Sequence, residues 1–104
     1  MDISKKLIKC IGFTWNKANA EKNWLKHNVT SSECEQIFFN TPLIVADDKK
    51  HSQKEARYYA LGKTEKNGWL FIVFTIRKNH IRVISARNMN KKERQVYNNH
   101  EKYS

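Results

Sequence analysis

The feature that most constrains this chain is the run Trp69-Leu70-Phe71-Ile72-Val73-Phe74-Thr75-Ile76-Arg77, followed by a turn at Lys78-Asn79-His80 and the return Ile81-Arg82-Val83-Ile84-Ser85-Ala86-Arg87. The outgoing run is rich in aromatic and β-branched residues and too short for a buried helix. Asn67-Gly68 bounds it on one side and the polar turn on the other. It reads as a central strand covered on both faces. The return mixes Ile and Val with arginines, as expected of a neighbouring strand whose apolar side chains face the core while its arginines reach an open surface. A loop of two or four residues puts Thr75, Arg77 and Arg82 on one face and Arg87 on the other, unless a bulge re-aims it. Like charges across a hairpin destabilise it unless an anion sits between them, so this hairpin is the place to look for function.

At 104 residues the chain is expected to form one domain, residues 1–104, with a single core. Twenty Lys and Arg against ten Asp and Glu leave a formal charge of +10, which attracts polyanions. Nucleic acid is the leading partner class, and an acidic protein masking the surface is the second. No segment approaches transmembrane length and no basic amphipathic helix dominates, so no membrane partner is expected. The first residues lack a signal-peptide apolar core, which makes the cytosol the expected location. Cys10 and Cys34 have neither CxxC spacing nor nearby paired histidines, so they read as small core residues and not as metal ligands.

Residues 1–9 are basic and weakly patterned, a short extra strand or a frayed start. A first strand follows over Ile11–Trp15. Asn16 caps a helix from Lys17 to about His27, with Ala20, Trp24 and Leu25 as its apolar stripe and Asn28 as its stop. Thr30-Ser31-Ser32-Glu33 is a capping box for a second helix that turns Ile37 and Phe38 inward and ends before Pro42. Leu43–Ala46 is a short strand, Asp47–Glu55 a charged loop and Arg57–Gly62 the next strand. After the hairpin, Asn90-Lys91-Lys92-Glu93 opens a final helix, and the tail from Asn98 is expected to fray. Helices followed by a run of strands indicate an α+β fold with helices on one face of an antiparallel meander.

Three sets of residues could carry chemistry. Arg57, Arg77, Arg82, Arg87 and Arg94, supplemented by Lys49, Lys50 and Lys54, suit phosphate, because a guanidinium binds it with two prongs and stays charged at any working pH. The alternative for each is solvated surface charge. His51 and Glu55 stand in the charged loop, where a histidine or carboxylate near arginines can move protons. His27 at a helix end fits a dipole-stabilising role better than catalysis. Trp15, Trp24, Phe38, Trp69, Phe71 and Phe74 read as core. Tyr58 and Tyr59 point to opposite sides of a strand, so one of them can stack on a base. Tyr97, one turn from Arg94, either packs in the core or closes over a site on the sheet. There is no glycine-rich phosphate loop, paired-carboxylate metal motif or nucleophile elbow, and no metal or cofactor is expected.

Several blocks in order resemble one family: Phe13-Thr14-Trp15-Asn16, Lys17, Asn23, Lys26-His27-Asn28-Val29, His51-Ser52, Glu55 with Arg57, Gly62, Thr75-Ile76-Arg77, Arg82 through Arg87, and Glu93-Arg94 with Tyr97. Together they resemble the BrnT family of type II toxins. Asn16 stands where that family usually has Asp, and the hairpin turn lacks a glycine often seen there. The resemblance implies a RelE-like fold, a ribonuclease that blocks translation, and a BrnA-type antitoxin that neutralises it and binds operator DNA as a complex. It also implies a site drawn from His51, Glu55, Arg57, Arg77, Arg82 and Arg87, with Tyr97 as a further candidate; the charge of Lys49, Lys50, Lys54 and Arg94 makes them expected RNA contacts beside it. The expected activity is metal-independent endonucleolytic cleavage of RNA. The alternative is a non-catalytic basic module that binds nucleic acid or acts as a co-repressor.

Overall fold

The structure is a computed structural model that describes residues 3–103, and of His51 the backbone only. In chain order the elements are α1 (Ile3–Ile8), β1 (Gly12–Thr14), α2 (Lys17–His27), α3 (Ser31–Gln36), β2 (Ile44–Asp47), β3 (Tyr58–Lys63), β4 (Trp69–Arg77), β5 (His80–Asn88) and α4 (Lys91–Tyr103). Single 3-10 turns occupy Ile37–Phe39 and Lys49–His51. The strands form one sheet in the order β1-β5-β4-β3-β2, with β1 parallel to β5 and the other pairs antiparallel. The α+β expectation holds.

The β4–β5 hairpin forms the centre. Its turn is the two residues Lys78 and Asn79, both left-handed at φ 49° and 60°. That is the conformation whose twist matches a right-twisted hairpin, and asparagine tolerates it better than most residues. Side chains of β4 alternate between two cores. Leu70, Ile72 and Phe74 join Tyr58, Ala60 and Val83 against Val29, Cys34 and Ile37 from the α2–α3 side. Trp69 and Phe71 point the other way and, with Leu61 and Met89, pack around Tyr97 of α4. Helices therefore lie on both faces of the sheet, which corrects the single-face expectation. The reversal after Asn88 carries the chain across the sheet, where Trp69 and Phe71 offer a second apolar surface.

The helix caps form as the sequence indicates. The Asn16 side chain accepts from the amides of Ala18 and Asn19, and Asn28 closes α2 in the left-handed region. The Thr30–Glu33 box is reciprocal. Three expectations change. Residues Ile3–Ile8 form a helix, not a strand, while residues 1 and 2 lie outside the described residues. The last helix continues to Tyr103 instead of fraying from Asn98.

The apolar stripe of α2 is also different. Trp24 and Leu25 are 52% and 81% exposed, and the residue that faces the sheet is Asn23, 2% exposed. The reason is a backbone donor. Strand β1 pairs with β5 only over His80–Arg82, which leaves the amide of Ala86 without a neighbouring strand. The Oδ1 of Asn23 accepts from it at 3.2 Å, so a polar side chain stands where the helical period called for an apolar one.

Gly62 marks a close approach between the sheet and the 3-10 turn that follows α3. A Cβ there would lie 2.7 Å from the Ile37 Cβ and within 3.3 Å of Leu43. Gly62→Ala is expected to destabilise the protein by about 1–3 kcal/mol, measured as a lower urea midpoint with an unchanged denaturant slope.

Candidate functional site

The register of the hairpin decides which side chains share a face. Thr75 stands opposite Arg82, and Arg77 opposite His80. On the other side of β4, Tyr58 pairs with Phe74, so one further step places Arg57 beside Thr75. Two steps toward the far end, Tyr59 pairs with Val73 and Leu61 with Phe71. Arg57, just before β3, thus stands in line with Thr75 of β4 and Arg82 of β5, a row about 10 Å wide and about 7 Å from that of Tyr59 and Val73.

A β-bulge brings Arg87 to this side. Phe74 pairs with Val83 but Val73 pairs with Ser85, so Ile84 is the extra residue. Parity reverses there, and Arg87 stands opposite Phe71 on the face that carries Thr75 and Arg82. The conditional expectation for Arg87 is met through its exception.

The loop between β2 and β3 closes over the turn end of this face. The hydroxyl of Thr75 donates to the Ala56 carbonyl at 2.8 Å, which buries Thr75 and seats the loop on the sheet. Inside the loop, the Ser52 hydroxyl donates to the Asp48 carbonyl at 2.7 Å and accepts from the Arg57 amide at 2.9 Å. Sequence reasoning assigned Ser52 no role of its own. Its only signal was its place beside His51 in the resemblance. The loop and the strand ends enclose a polar cleft of about 540 Å³ lined by Lys50, Gln53, Lys54, Glu55, Arg57 and Arg77.

Most of the expected residues meet here. Glu55 pairs with Arg77, Oε2 to Nε at 2.8 Å. Both partners are partly exposed, so the pair is weak and can yield to an anion. The guanidinium groups of Arg57 and Arg82 have no hydrogen-bonding or ionic partner among the described residues. The backbone of His51 ends the 3-10 turn in the same loop, while its side chain lies outside the described residues. Lys49 is exposed on that turn and does not line the cleft.

The remaining candidates are elsewhere. The Arg87 fork is taken up by Glu93, with Nη1–Oε1 at 2.7 Å and Nη2–Oε2 at 2.8 Å, and lies 4.2 Å from the centre of the Phe71 ring. Glu93 also completes the capping box of α4, accepting from the Asn90 amide and donating its own amide to the Asn90 side chain. Arg87 thereby fastens α4 to the sheet. Arg94 is exposed beside Trp69 and Asn88, roughly 25 Å along the hairpin from Arg77. Tyr97 is wholly buried and donates to the Pro42 carbonyl at 2.6 Å, so it packs and presents nothing to RNA. Burial pushes its phenol up to about 12, with the charge of Glu101 adding to the rise. Of the tyrosine pair, Tyr58 is the buried one, and Tyr59 stacks on Phe71 with ring centres 5.7 Å apart.

Residues 15–93 match the family model of the ribonuclease toxin BrnT of type II toxin–antitoxin systems. This chain belongs to the BrnT family. The matched stretch contains Glu55, Arg57, Arg77, Arg82 and Arg87, and leaves out α1, β1, Arg94 and Tyr97. Among solved structures, the chain is similar to the 1.1 Å crystal structure of the Brucella abortus ribonuclease toxin BrnT. The TM-score is 0.61 at 18% identity, over 78% of this chain and 99% of that one, which is a likeness of fold. No curated protein sequence matches this chain. Within the BrnT fold as this chain builds it, no described helix is long and apolar enough to cross a membrane.

The Arg87–Glu93 pair gives the protein an acid-sensitive joint. Burial works to raise the Glu93 carboxyl, but the hydrogen bonds from Arg87 and Asn90 and the guanidinium charge outweigh it, and the net shift is downward. A carboxyl held below its unfolded value adds stability above that value and loses it as pH falls through the folded one. Chemical denaturation should therefore show stability dropping as pH falls below about 4.5, the usual glutamate value. Glu93→Gln should flatten this slope.

Proposed function

We propose that this chain is a metal-independent endoribonuclease that cuts RNA by attack of the 2'-hydroxyl on the adjacent phosphate. The observation that carries the reading is the pair of guanidinium groups, Arg57 and Arg82, that have no partner among the described residues and flank Thr75 beside the cleft. A dianionic phosphorane develops charge on its non-bridging oxygens, and fixed N–H donors on a sheet meet that charge without reorganising. Arg77 adds a third donor once its partner Glu55 turns to the substrate. Lys50 and Lys54 hold flanking phosphates, with Lys49 at the rim.

In the reaction the 2'-oxygen forms a bond to phosphorus while the bond from phosphorus to the 5'-oxygen breaks. The 2'-hydroxyl proton passes to a base, and an acid supplies a proton to the departing 5'-oxygen. The loop that carries His51 and Glu55 provides these two groups. The arginines supply the positive charge that a metal ion supplies in other nucleases, so the scheme needs none. Arg87 serves this site by holding α4 and the bulged strand in place. Cleavage of cellular RNA inhibits translation, and a BrnA-type antitoxin neutralises the toxin and forms the operator-binding complex with it.

Arg82→Ala should lower cleavage of a labelled RNA by about 100-fold or more while leaving the unfolding midpoint within about 0.5 kcal/mol of the parent. Full activity in a folded variant removes Arg82 from the site. RNA bound but uncut by the parent protein would return this face to a phosphate-holding module. Cleavage is also expected to continue in EDTA and to leave 2',3'-cyclic phosphate ends, read by mass spectrometry. Activity lost in EDTA and restored by a divalent ion would contradict the metal-free scheme.

A further inference from the structure

The sheet has a second surface that the nuclease reading does not use. On the α2–α3 face, α1 and the edge strand β1 border an apolar groove of about 260 Å³, lined among others by Leu7, Cys10, Phe13, Phe38, Leu43 and Ile81. Ile11 and Phe39 also line it, 77% and 81% exposed. Two large apolar side chains at that exposure in the wall of one groove are an unsatisfied surface, not scattered residues. The neighbouring edge is open too. Strand β1 pairs only with β5, so one side of its backbone has no strand partner.

Basic residues dominate the rim, with Asp47 of β2 the acidic group that acts on Lys6. Residues 3–16 and 76–82 contain no Asp or Glu, and they contain Lys5, Lys6, Lys9, Arg77, Lys78 and Arg82. Lys6, Lys9, Ile76, Lys78 and Asn79 line a shallow depression between α1 and the hairpin turn. The Ile11 amide donates to the Asn79 carbonyl at 2.8 Å, so the groove and the turn are physically joined. Beyond the turn is Arg77, which lines the polar cleft. An apolar seat therefore continues into a basic strip that leads round the end of the hairpin to the candidate site.

We propose that this groove is the docking surface for the toxin's protein inhibitor, and that the inhibitor presents an acidic, amphipathic segment to it. Apolar side chains of that segment fill the groove between Phe38 and Leu7. Its carboxylates cross Lys9 and Lys78 and reach Arg77, where they compete with RNA phosphate for the same donors. The free edge of β1 can pair with an extended stretch of the segment. This rests on the ribonuclease reading only for the consequence of binding; the surface itself is argued from its chemistry.

The test uses the full chain with its cognate antitoxin as probe, co-expressed and purified. Hydrogen–deuterium exchange should show protection on complex formation at residues 7–14 and at Phe39. Ile11→Ser with Phe39→Ser should weaken binding about tenfold or more, and Lys9→Glu with Lys78→Glu should do the same, with the parent's rate of RNA cleavage retained. Trp24→Ser, on a separate exposed apolar site of α2, should bind as the parent does. Protection confined to α2, undiminished binding by both double variants, or no complex at all overturns the proposal. So does a concentration-dependent dimer of the chain alone that protects the groove, since the occupant is then a second copy. A chain that binds through the groove yet cuts no RNA upholds the docking surface and overturns the ribonuclease reading; one that cuts RNA and binds its inhibitor elsewhere does the reverse.

Discussion

One extra residue in β5 sets the arrangement of the whole charged face. With Ile84 bulged out, Arg82 and Arg87 both point away from the α2–α3 core. With regular pairing, one of them would be driven into it, against Phe74 and Val83, where an unpaired guanidinium is prohibitively costly. The bulge also explains two partners elsewhere. The Ala86 amide finds its acceptor in Asn23 on the helix side. Arg87 finds Glu93 on the opposite side, so α4 is held where the parity change sends it.

The two ends of the sheet consequently do different work. At the Trp69 end, α4 seals the face with Tyr97, and the charge of Arg87 is neutralised by a bidentate carboxylate and a ring beneath it. At the turn end the β2–β3 loop covers only part of the face, tethered through Thr75 and Ser52; Arg77 there holds a partly exposed Glu55, and Arg57 and Arg82 have no partner among the described residues. Positive charges gathered on one rigid face raise the energy of the free protein, and an anion relieves it. The same strain invites either a phosphate chain or the carboxylates of a protein.

Much of the architecture was legible because local signals agreed with one another. The boundaries of α2 followed from Asn16 and Asn28, the start of α3 from Thr30 and Glu33, and the hairpin from its apolar run and polar turn. The cleft was legible in part. Lys50, Lys54, Glu55, Arg57 and Arg77 do converge, since a loop and two strand ends that are neighbours in the sheet bring them together. What misled was periodicity without context. Trp24 and Leu25 sit at helical spacing for a core stripe, yet the sheet edge beneath α2 needed a hydrogen-bond acceptor more than apolar area. Tyr97 and Arg94 are neighbours on α4 with opposite fates, because one turn of helix separates the sealed core from solvent.

By itself the sequence determined most of the elements, though neither α1 nor the full length of α4, together with the central hairpin, the excess positive charge and the family blocks, because caps, turns and side-chain period act over a few residues. Tertiary structure alone decided that β1 enters the sheet beside β5, that α4 crosses to the second face and that α1 leaves an apolar groove open. It also decided that Arg87 shares a face with Arg82. Such outcomes depend on pairings between residues far apart in the chain, and a bulge is a property of two strands in register, with no local signature in either.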